Sequence, residues 1–514
     1  MLPYALTVHP AIRWLRRPFK MAQAFVACAV FGFPGRKLRI VGVTGTDGKT
    51  TTVHLTVKAL ESAGYTVGAI STIHFQVGTK LWTNRSKLTT PGPWELQKLL
   101  AHMVRAGCHY VVLECSSHRL DQEGFWGIPF DVAVITNITR EHFDYHKDFD
   151  DYARAKRRLF MALRHPAKQL PFRKNIDPGG RVPTAAVVNL DDERCRPMLE
   201  EQAERKYGFT LQADRGKLTA NGGTTIVTAR PAASPHQLSA VSSQLYIVRA
   251  GEREALLDLK LPGRFNLQNA LAAIAVGISQ GIALAQITRE LSDVERIPGR
   301  MDQVKEGQPF TVIIDYAVTP AAFEALYAEI RNSKFEIRNF RIIHVFGAAG
   351  GRDRGKRPLL GEIAGRHANL VILADEDPYS EDPEHILRGI EPGLVAAGMR
   401  SATLSEDAAL RSTAIMNDSS AAGDRGAVSG EGDRKQFLRI RDRRLAIREA
   451  LNRAKSGDVV LVTGKGAEET MALGDQRIPW NDRKVITEEL MSLRGASATR
   501  KSSDGDEIAS LHSQ

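Results

Sequence analysis

The chain has 514 residues, 70 Lys and Arg against 59 Asp and Glu, and a formal charge of +11. With 43% hydrophobic and 25% charged residues, its composition is globular and excludes collagen-like, wholly disordered and polytopic membrane classes. At roughly 100–200 residues per domain the length accommodates two to four domains, each able to bury a core. The basic excess is spread along the chain, which suits anionic small substrates such as nucleotides and argues against a nucleic-acid partner. Cys28, Cys108, Cys115 and Cys195 form no CxxC pair, so neither zinc nor a disulfide framework is indicated and a reducing cytoplasm is the expected compartment.

Residues 1–36 read as a basic and apolar helix. Arg13, Arg16, Arg17 and Lys20 precede the uncharged stretch Met21–Phe33, and Pro34-Gly35 ends it. The apolar run is too short to span a bilayer. Read as a cleaved signal peptide, it would send the phosphate-binding loop that follows outside the cell, away from ATP. Two readings remain: docking on the protein's own body, or peripheral contact of residues 1–33 with the inner membrane surface.

Residues 37–298 alternate strand and helix. Leu38–Val43 is a buried strand, Thr50–Ala63 a helix with apolar Val53, Val57 and Leu60, and Tyr110–Leu113 and Val132–Ile135 are further short strands. Continuous apolar runs ending in polar residues predict a parallel sheet with its chemistry at the strands' carboxyl ends. Residues 211–260 are irregular and read as a β-rich extension. A second α/β series fills residues 299–493, with strands at Thr311–Ile314, Ile342–Phe346, Leu370–Leu373 and Val459–Val462. Residues 417–433 and 494–514 hold too little apolar content to offset ordering entropy, and disorder is expected there.

The strongest local signal is Thr44-Gly45-Thr46-Asp47-Gly48-Lys49-Thr50-Thr51, set between a strand and a helix. Glycines let backbone N–H groups wrap a phosphate, Lys49 reaches the outer phosphates and Thr50 can hold Mg²⁺. Val43 stands where the usual GxxxxGK[ST] spacing has its first glycine, so the spacing is a variant.

That variant resembles the loop of the Mur ligase family, and other motifs follow in order. They are Leu88–Pro93, Glu114-Cys115-Ser116-Ser117-His118, Thr136–His146, Tyr152–Lys156, Asn189–Asp192, Gly263–Asn266 with Asn269, Gly299-Arg300-Met301, Asp315-Tyr316-Ala317, Gly350–Pro358 and Gly464-Lys465-Gly466. Together they resemble the branch of the family that adds the third amino acid to the peptidoglycan stem. The resemblance implies a central P-loop ATPase domain with a mostly parallel sheet, followed by a smaller Rossmann-like α/β domain. It also implies ATP, two Mg²⁺ ions, a muramoyl-peptide acceptor, an incoming amino acid and a cytoplasmic setting.

The implied roles fall on named residues. Gly45, Thr46, Asp47, Gly48, Lys49, Thr50, Thr51, Asn266, Arg300 and Asp315 would contact the nucleotide, the aspartate through its ribose. Thr50, Glu114, His142 and Lys156 would hold metal, and Lys49, Lys156 and His142 would serve catalysis. In the family the lysine matching Lys156 is carbamylated by CO₂, and the anion helps hold the second Mg²⁺; two cations beside it favour that charge reversal. Taken alone, Lys156 reads as a snorkelling surface lysine and His142 as a surface hydrogen-bonding histidine. Thr89, Thr90, Pro91, Ser116, Ser117 and His118 would bind the acceptor. Arg352, Asp375, Asp377, Tyr379, Gly464 and Glu468 would border the amino acid.

Departures from the pattern qualify these roles. Asp47 replaces Asn, Glu141 replaces Asp, and Val318 and Ala467 replace histidines. Where the family has DNPR, the chain reads Glu376-Asp377-Pro378-Tyr379. Tyr379 carries no charge to offset a distal carboxylate, and Asp375, Glu376, Asp377, Glu381 and Asp382 form an acidic cluster. The expectation is therefore lysine or ornithine rather than meso-diaminopimelate. Only 36 residues precede the first strand, where the family carries a uridine-diphosphate-binding domain, so UDP is expected to be held differently or weakly. Two rival readings are a folylpolyglutamate-synthase-like ligase acting on a non-UDP acceptor, and a catalytically silent scaffold.

Overall fold

The computed structural model describes residues 10–86, 88–143, 145–164, 183–212, 223–232, 244–332, 340–402 and 435–494, with side chains from residue 18 onward. The segments expected to be disordered, 417–433 and the tail beyond Arg494, lie outside the described residues. The chain divides into two compact units, residues 1–297 and 298–514.

The first unit begins with helix α1 (Pro10–Val30) and strand β1 (Arg39–Thr44), every residue of which is buried. Helix α2 (Lys49–Glu61) leads to β2 (Val67–Ile70), β3 (His74–Val77) and β4 (Lys80–Thr83). Then come α3 (Pro93–Arg105), β5 (Tyr110–Glu114), α4 (Ser117–Asp121), β6 (Val132–Ile135), α5 (Phe149–Met161), β7 (Ala185–Asn189) and β8 (Arg205–Thr210). The unit closes with β9 (Thr224–Pro231), β10 (Gln244–Ala250), β11 (Arg253–Leu259), α6 (Arg264–Ser279) and α7 (Leu284–Ser292).

Its eleven strands run in the order β11-β10-β9-β8-β7-β6-β1-β5-β2-β3-β4. The seven from β9 to β2 are mutually parallel, and hairpins flank them antiparallel at both ends. The β-rich extension is thus β9–β11, joined to the main sheet. Alternation along β1 sends Val41 and Val43 to the face covered by α2 and α6, and Ile40 to the face covered by α3 and α5, as a period of two requires. Gly42 has no side chain because a Cβ there would stand 2.6 Å from Leu159 and 2.8 Å from the Phe130 ring.

Helix α1 docks on this unit through small residues. Ala24, Ala27 and Cys28 are buried, and a Cβ on Gly127 would come within 2.7 Å of the Cys28 sulfur. The helix ends where Gly32 and Phe33 turn to φ of 69° and 50° and Pro34 opens a 3₁₀ turn.

The second unit contains β12 (Asp302–Val304), β13 (Thr311–Asp315), α8 (Pro320–Asn332), β14 (Ile342–Phe346), α9 (Lys356–His367), β15 (Leu370–Leu373) and α10 (Pro383–Ala396). It continues with β16 (Arg400–Ser401), β17 (Gln436–Arg439), α11 (Arg443–Arg453), β18 (Val459–Thr463), β19 (Thr470–Leu473) and β20 (Gln476–Pro479). Seven strands order as β12-β13-β18-β14-β15-β17-β16, parallel except for β12, while β19 and β20 form a separate hairpin. Arg443 and Asp482 form a fully buried bidentate pair at 2.7 and 2.8 Å, and Arg443 also donates to the Thr463 carbonyl at 2.8 Å.

His344 on β14 is buried between the Tyr327 hydroxyl (2.7 Å from Nδ1) and the Thr463 hydroxyl (2.9 Å from Nε2). Burial first, and the Arg443 cation second, lower its pKa from 6.5 to about 3. The folded imidazole stays neutral while the unfolded one takes up a proton below pH 6.5, so its stability contribution is complete above 6.5 and is lost as pH falls toward 3. His344→Gln, which keeps the hydrogen bonds without titrating, should flatten the acid limb of a stability-against-pH curve; an unchanged slope would refute this assignment.

Candidate active site

The turn from β1 into α2 places the phosphate loop. Gly45 and Gly48 take φ of 150° and 80°. A Cβ would lie 1.8 Å from the Thr136 hydroxyl at Gly45 and 2.4 Å from Asn269 Oδ1 at Gly48, so only glycine fits either position. Asn137 secures the loop: its carbonyl and Oδ1 accept from Thr46 N (2.9 and 3.1 Å), and Oδ1 also accepts from Asp47 N (2.9 Å). The first turn of α2, Lys49 to Thr51, has N–H groups with no intrahelical acceptor, the feature that binds phosphate at a helix start. Lys49 folds back, donating from Nζ to the Thr46 carbonyl at 2.6 Å.

The carboxyl end of β5 brings Glu114 to that turn. Its carboxylate is buried and accepts from the Thr50 hydroxyl at 3.0 Å, from Thr72 N at 2.8 Å and from the Thr72 hydroxyl at 2.9 Å. These hydroxyl and carboxylate oxygens are the hard donors that Mg²⁺ takes alongside substrate phosphates. Among the described residues no three His, Cys, Asp or Glu side chains converge as a self-sufficient metal site, so the protein oxygens fit a metal that the nucleotide helps to hold.

The motifs expected at the acceptor close around the same strand end. Thr90 donates to the Glu114 carbonyl (2.8 Å) and lies 3.4 Å from the Ser116 hydroxyl, while Thr89 is 3.2 Å from the Thr72 hydroxyl. Pro91 is buried beside them in the turn before α3. Ser116 caps α4, Ser117 meets His146 Nε2 at 3.0 Å, and the His118 ring stands edge-on to His142 at 4.6 Å. Arg119 donates to the Thr90 carbonyl at 3.2 Å.

Lys156 departs from what its residue type alone suggests. It is fully buried rather than exposed, with Nζ donating to the Gly45 carbonyl at 2.5 Å and lying 4.2 Å from the Tyr152 ring centre. Burial first, and repulsion from Lys49 second, hold its pKa well below the usual lysine range, which favours the neutral amine. The Tyr152 hydroxyl reaches the Thr46 hydroxyl at 3.2 Å, tying this helix to the loop. His142 adopts φ of 60°, with Nε2 3.5 Å from Glu141 and its ring 6.3 Å from Tyr152.

The other residues expected at the nucleotide have internal partners. Asn266 is buried, donating to the Pro262 carbonyl (2.6 Å) and accepting from Asn269 (3.3 Å), and Asn269 in turn accepts from Thr52 (3.2 Å) beneath the loop. In the second unit both Asp315 oxygens accept backbone N–H groups, from Met301 and Ala317, each at 2.7 Å. The carboxylate thereby positions the turn carrying Arg300, whose guanidinium lies 4.7 Å from the Tyr316 ring centre.

The acidic cluster has partners within the second unit. Glu381 takes a bidentate pair from Arg357 (2.9 and 2.8 Å) and the Gly351 N–H (2.8 Å), and its pKa falls to about 2. Asp377 holds Lys465 at 2.9 Å through both oxygens and accepts from Ala472 N; Asp375 faces Arg441 at 3.4 Å; Asp382 caps α10. Glu468 completes the Lys465 group at 2.5 Å and accepts from Tyr316 at 3.2 Å. Glu376 is buried against Gly464, where a Cβ would meet its carboxylate at 2.4 Å, and desolvation followed by Asp377 raises its pKa to about 7. Glu381, Asp377, Asp375 and Glu468 are thus paired with cations and Asp382 caps a helix. Tyr379 sits half-buried at φ of 50° with the Arg352 guanidinium 6.0 Å from its ring.

Sequence reasoning did not single out Thr72 or the Tyr152 hydroxyl. Neither position carries a local signal, because the first acts through Glu114, 42 residues away, and the second through Thr46, 106 residues away.

Comparison with known proteins agrees with this geometry. The Mur ligase middle domain matches residues 43–277, and the Mur ligase glutamate ligase domain matches residues 299–466. The UDP-N-acetylmuramyl-tripeptide synthetase of Roseiflexus sp. (strain RS-1) is 38% identical over 480 residues, covering 92% of this chain and 82% of the relative. The UDP-N-acetylmuramoyl-L-alanyl-D-glutamate--2,6-diaminopimelate ligase of Geobacillus thermodenitrificans is 34% identical over 474 residues, covering 91% and 81%. A solved structure of a ligase with that same name superposes with a TM-score of 0.50 at 26% identity, covering 89% of this chain and 79% of its own. With both domains matched in order and a relative 38% identical over 92% of this chain, the protein belongs to the Mur ligase family.

Proposed function

We propose that the chain is an ATP-dependent amide ligase adding the third amino acid to a UDP-N-acetylmuramoyl-L-alanyl-D-glutamate-type acceptor in peptidoglycan synthesis. The observation that carries this reading is Lys156, a buried amine of depressed pKa bonded to the Gly45 carbonyl of the phosphate loop. A P-loop alone serves many reactions; this second group at its back suits a site handling concentrated phosphoryl charge. The acceptor carboxylate attacks the γ-phosphorus of ATP, forming an acyl phosphate and releasing ADP. The amine of the amino acid then attacks the acyl carbon, and inorganic phosphate leaves. Lys49 offsets charge on the transferring group, and the helix start at Gly48 orients the phosphates. Thr50, Glu114, His142 and carbamylated Lys156 would hold the Mg²⁺ ions, which supply charge neutralisation on the phosphoryl oxygens. ATP and a nucleotide-linked acceptor place this chemistry in the cytoplasm.

Choice of the third residue rests on position 379 and not on the paired acids. The uncharged Tyr379 favours lysine or ornithine over meso-diaminopimelate. Phosphate release from ATP, measured with a panel of acceptors and these amino acids, tests both points. Turnover should require a muramoyl dipeptide acceptor and an amino acid together, with kcat/KM for lysine or ornithine above that for meso-diaminopimelate. Turnover on a folate acceptor alone, or none with any pair, would overturn the function. The reverse amino-acid order would assign the distal carboxylate to Arg352, and Arg352→Ala would then abolish the preference.

A further inference from the structure

The side of helix α1 turned away from the body carries larger apolar groups than the side turned toward it. Its docked face is built from Ala24, Ala27 and Cys28, all buried. Phe19, Val26 and Val30, related by seven and eleven residues and so sharing one face, are 62%, 46% and 64% exposed. A helix that served only as a strut would bury its large side chains and expose its small ones. Aromatic pairs flank the helix: Phe25 packs edge-on against Trp126 at 5.1 Å, and Phe31 lies 6.4 Å from the exposed Trp94 at the start of α3. Three large apolar side chains exposed on one helix face are the kind of feature that marks an interaction surface.

Along the sequence, the charge of α1 and the turn after it is of one sign. The first acidic residue of the chain is Asp47, and the residues before it include Arg13, Arg16, Arg17, Lys20, Arg36 and Lys37. Arg36 covers the Phe33 ring at 4.1 Å, so a cation borders the aromatic group directly. No described helix is long and apolar enough to cross a membrane.

From this we propose that α1 is a membrane-surface element, seating its Phe19–Val26–Val30 face in the headgroup region of an anionic lipid bilayer while Ala24, Ala27 and Cys28 keep it fixed to the first unit. Large apolar side chains, flanking aromatics and basic residues without interspersed acids are the combination that binds such a surface in the interfacial plane. A protein partner would not require the absence of carboxylates. The surface has no part in the ligase reading and stands independently of it.

Co-sedimentation of the full chain with phosphatidylcholine vesicles, with and without roughly a third phosphatidylglycerol, tests this. The protein should pellet with the anionic vesicles only, and binding should fall at least about tenfold between about 0.1 and 0.5 M salt. Phe19→Ser, Val26→Ser and Val30→Ser together should lower binding about a hundredfold, with unchanged circular dichroism because all three are exposed. Should that variant misfold, Arg13→Gln, Arg16→Gln, Arg17→Gln and Lys20→Gln together should abolish the preference for anionic lipid. Equal pelleting with both vesicle types, none with either, or serine and glutamine variants that bind like the wild type would overturn the proposal. A concentration-dependent dimer lost in the serine variant, without vesicle binding, would assign the face to a second copy of the chain and overturn it equally.

Discussion

Replacing Lys156 with alanine is expected to lower the ligation rate by about a thousandfold, the scale of losing one preorganised charge at a transferring phosphoryl group. The amine is buried, bonded to the Gly45 carbonyl and held below its ordinary pKa by desolvation and by Lys49. Those conditions favour the neutral form, the form that adds to CO₂: the amine nitrogen bonds to the CO₂ carbon and loses a proton, leaving a carbamate anion. If Lys156 is carbamylated as proposed, alanine removes that anion and leaves space beside Tyr152, so formate or acetate should restore part of the rate. Depleting CO₂ should slow the wild type and leave the alanine variant unaffected. Wild-type turnover by the variant without added acid would sink the assignment.

Glu114→Gln is expected to be about as damaging to turnover, roughly a thousandfold, with the opposite signature in stability. The buried carboxylate receives its recorded hydrogen bonds from Thr50 and Thr72, which are neutral groups. An isosteric amide keeps most of that geometry and relieves the cost of burying a charge, so the melting temperature should hold or rise. The Mg²⁺ concentration needed for half-maximal activity should rise, as the loss of a metal-holding carboxylate requires. A variant that loses activity and stability together would make Glu114 a structural anchor for the loop.

Much of this was legible in the sequence. Strands such as Val132–Ile135 and Val459–Thr463 are continuous apolar runs, and burial on both faces of a parallel sheet selects for that pattern within a few consecutive residues. The phosphate loop was equally plain, because a strand, two glycines at positive φ and a helix start are neighbours in the chain. The acidic cluster misled for the complementary reason. Whether a carboxylate is an open attraction depends on its partners, and Glu381 and Asp377 find theirs in Arg357 and Lys465, 24 and 88 residues away. The internal partners of Asn266 and Asp315, backbone and neighbouring amide groups, were likewise set by the folded chain.

Local periodicity and turn chemistry, which operate over three to five residues, therefore determined the strand and helix order, the two α/β series and the phosphate loop. Tertiary packing decided the rest. It buried Lys156, paired the acids and turned Phe19, Val26 and Val30 outward on α1. The depth of a side chain and the company of a charge are set by segments far apart in sequence, which only the folded chain brings within hydrogen-bond reach.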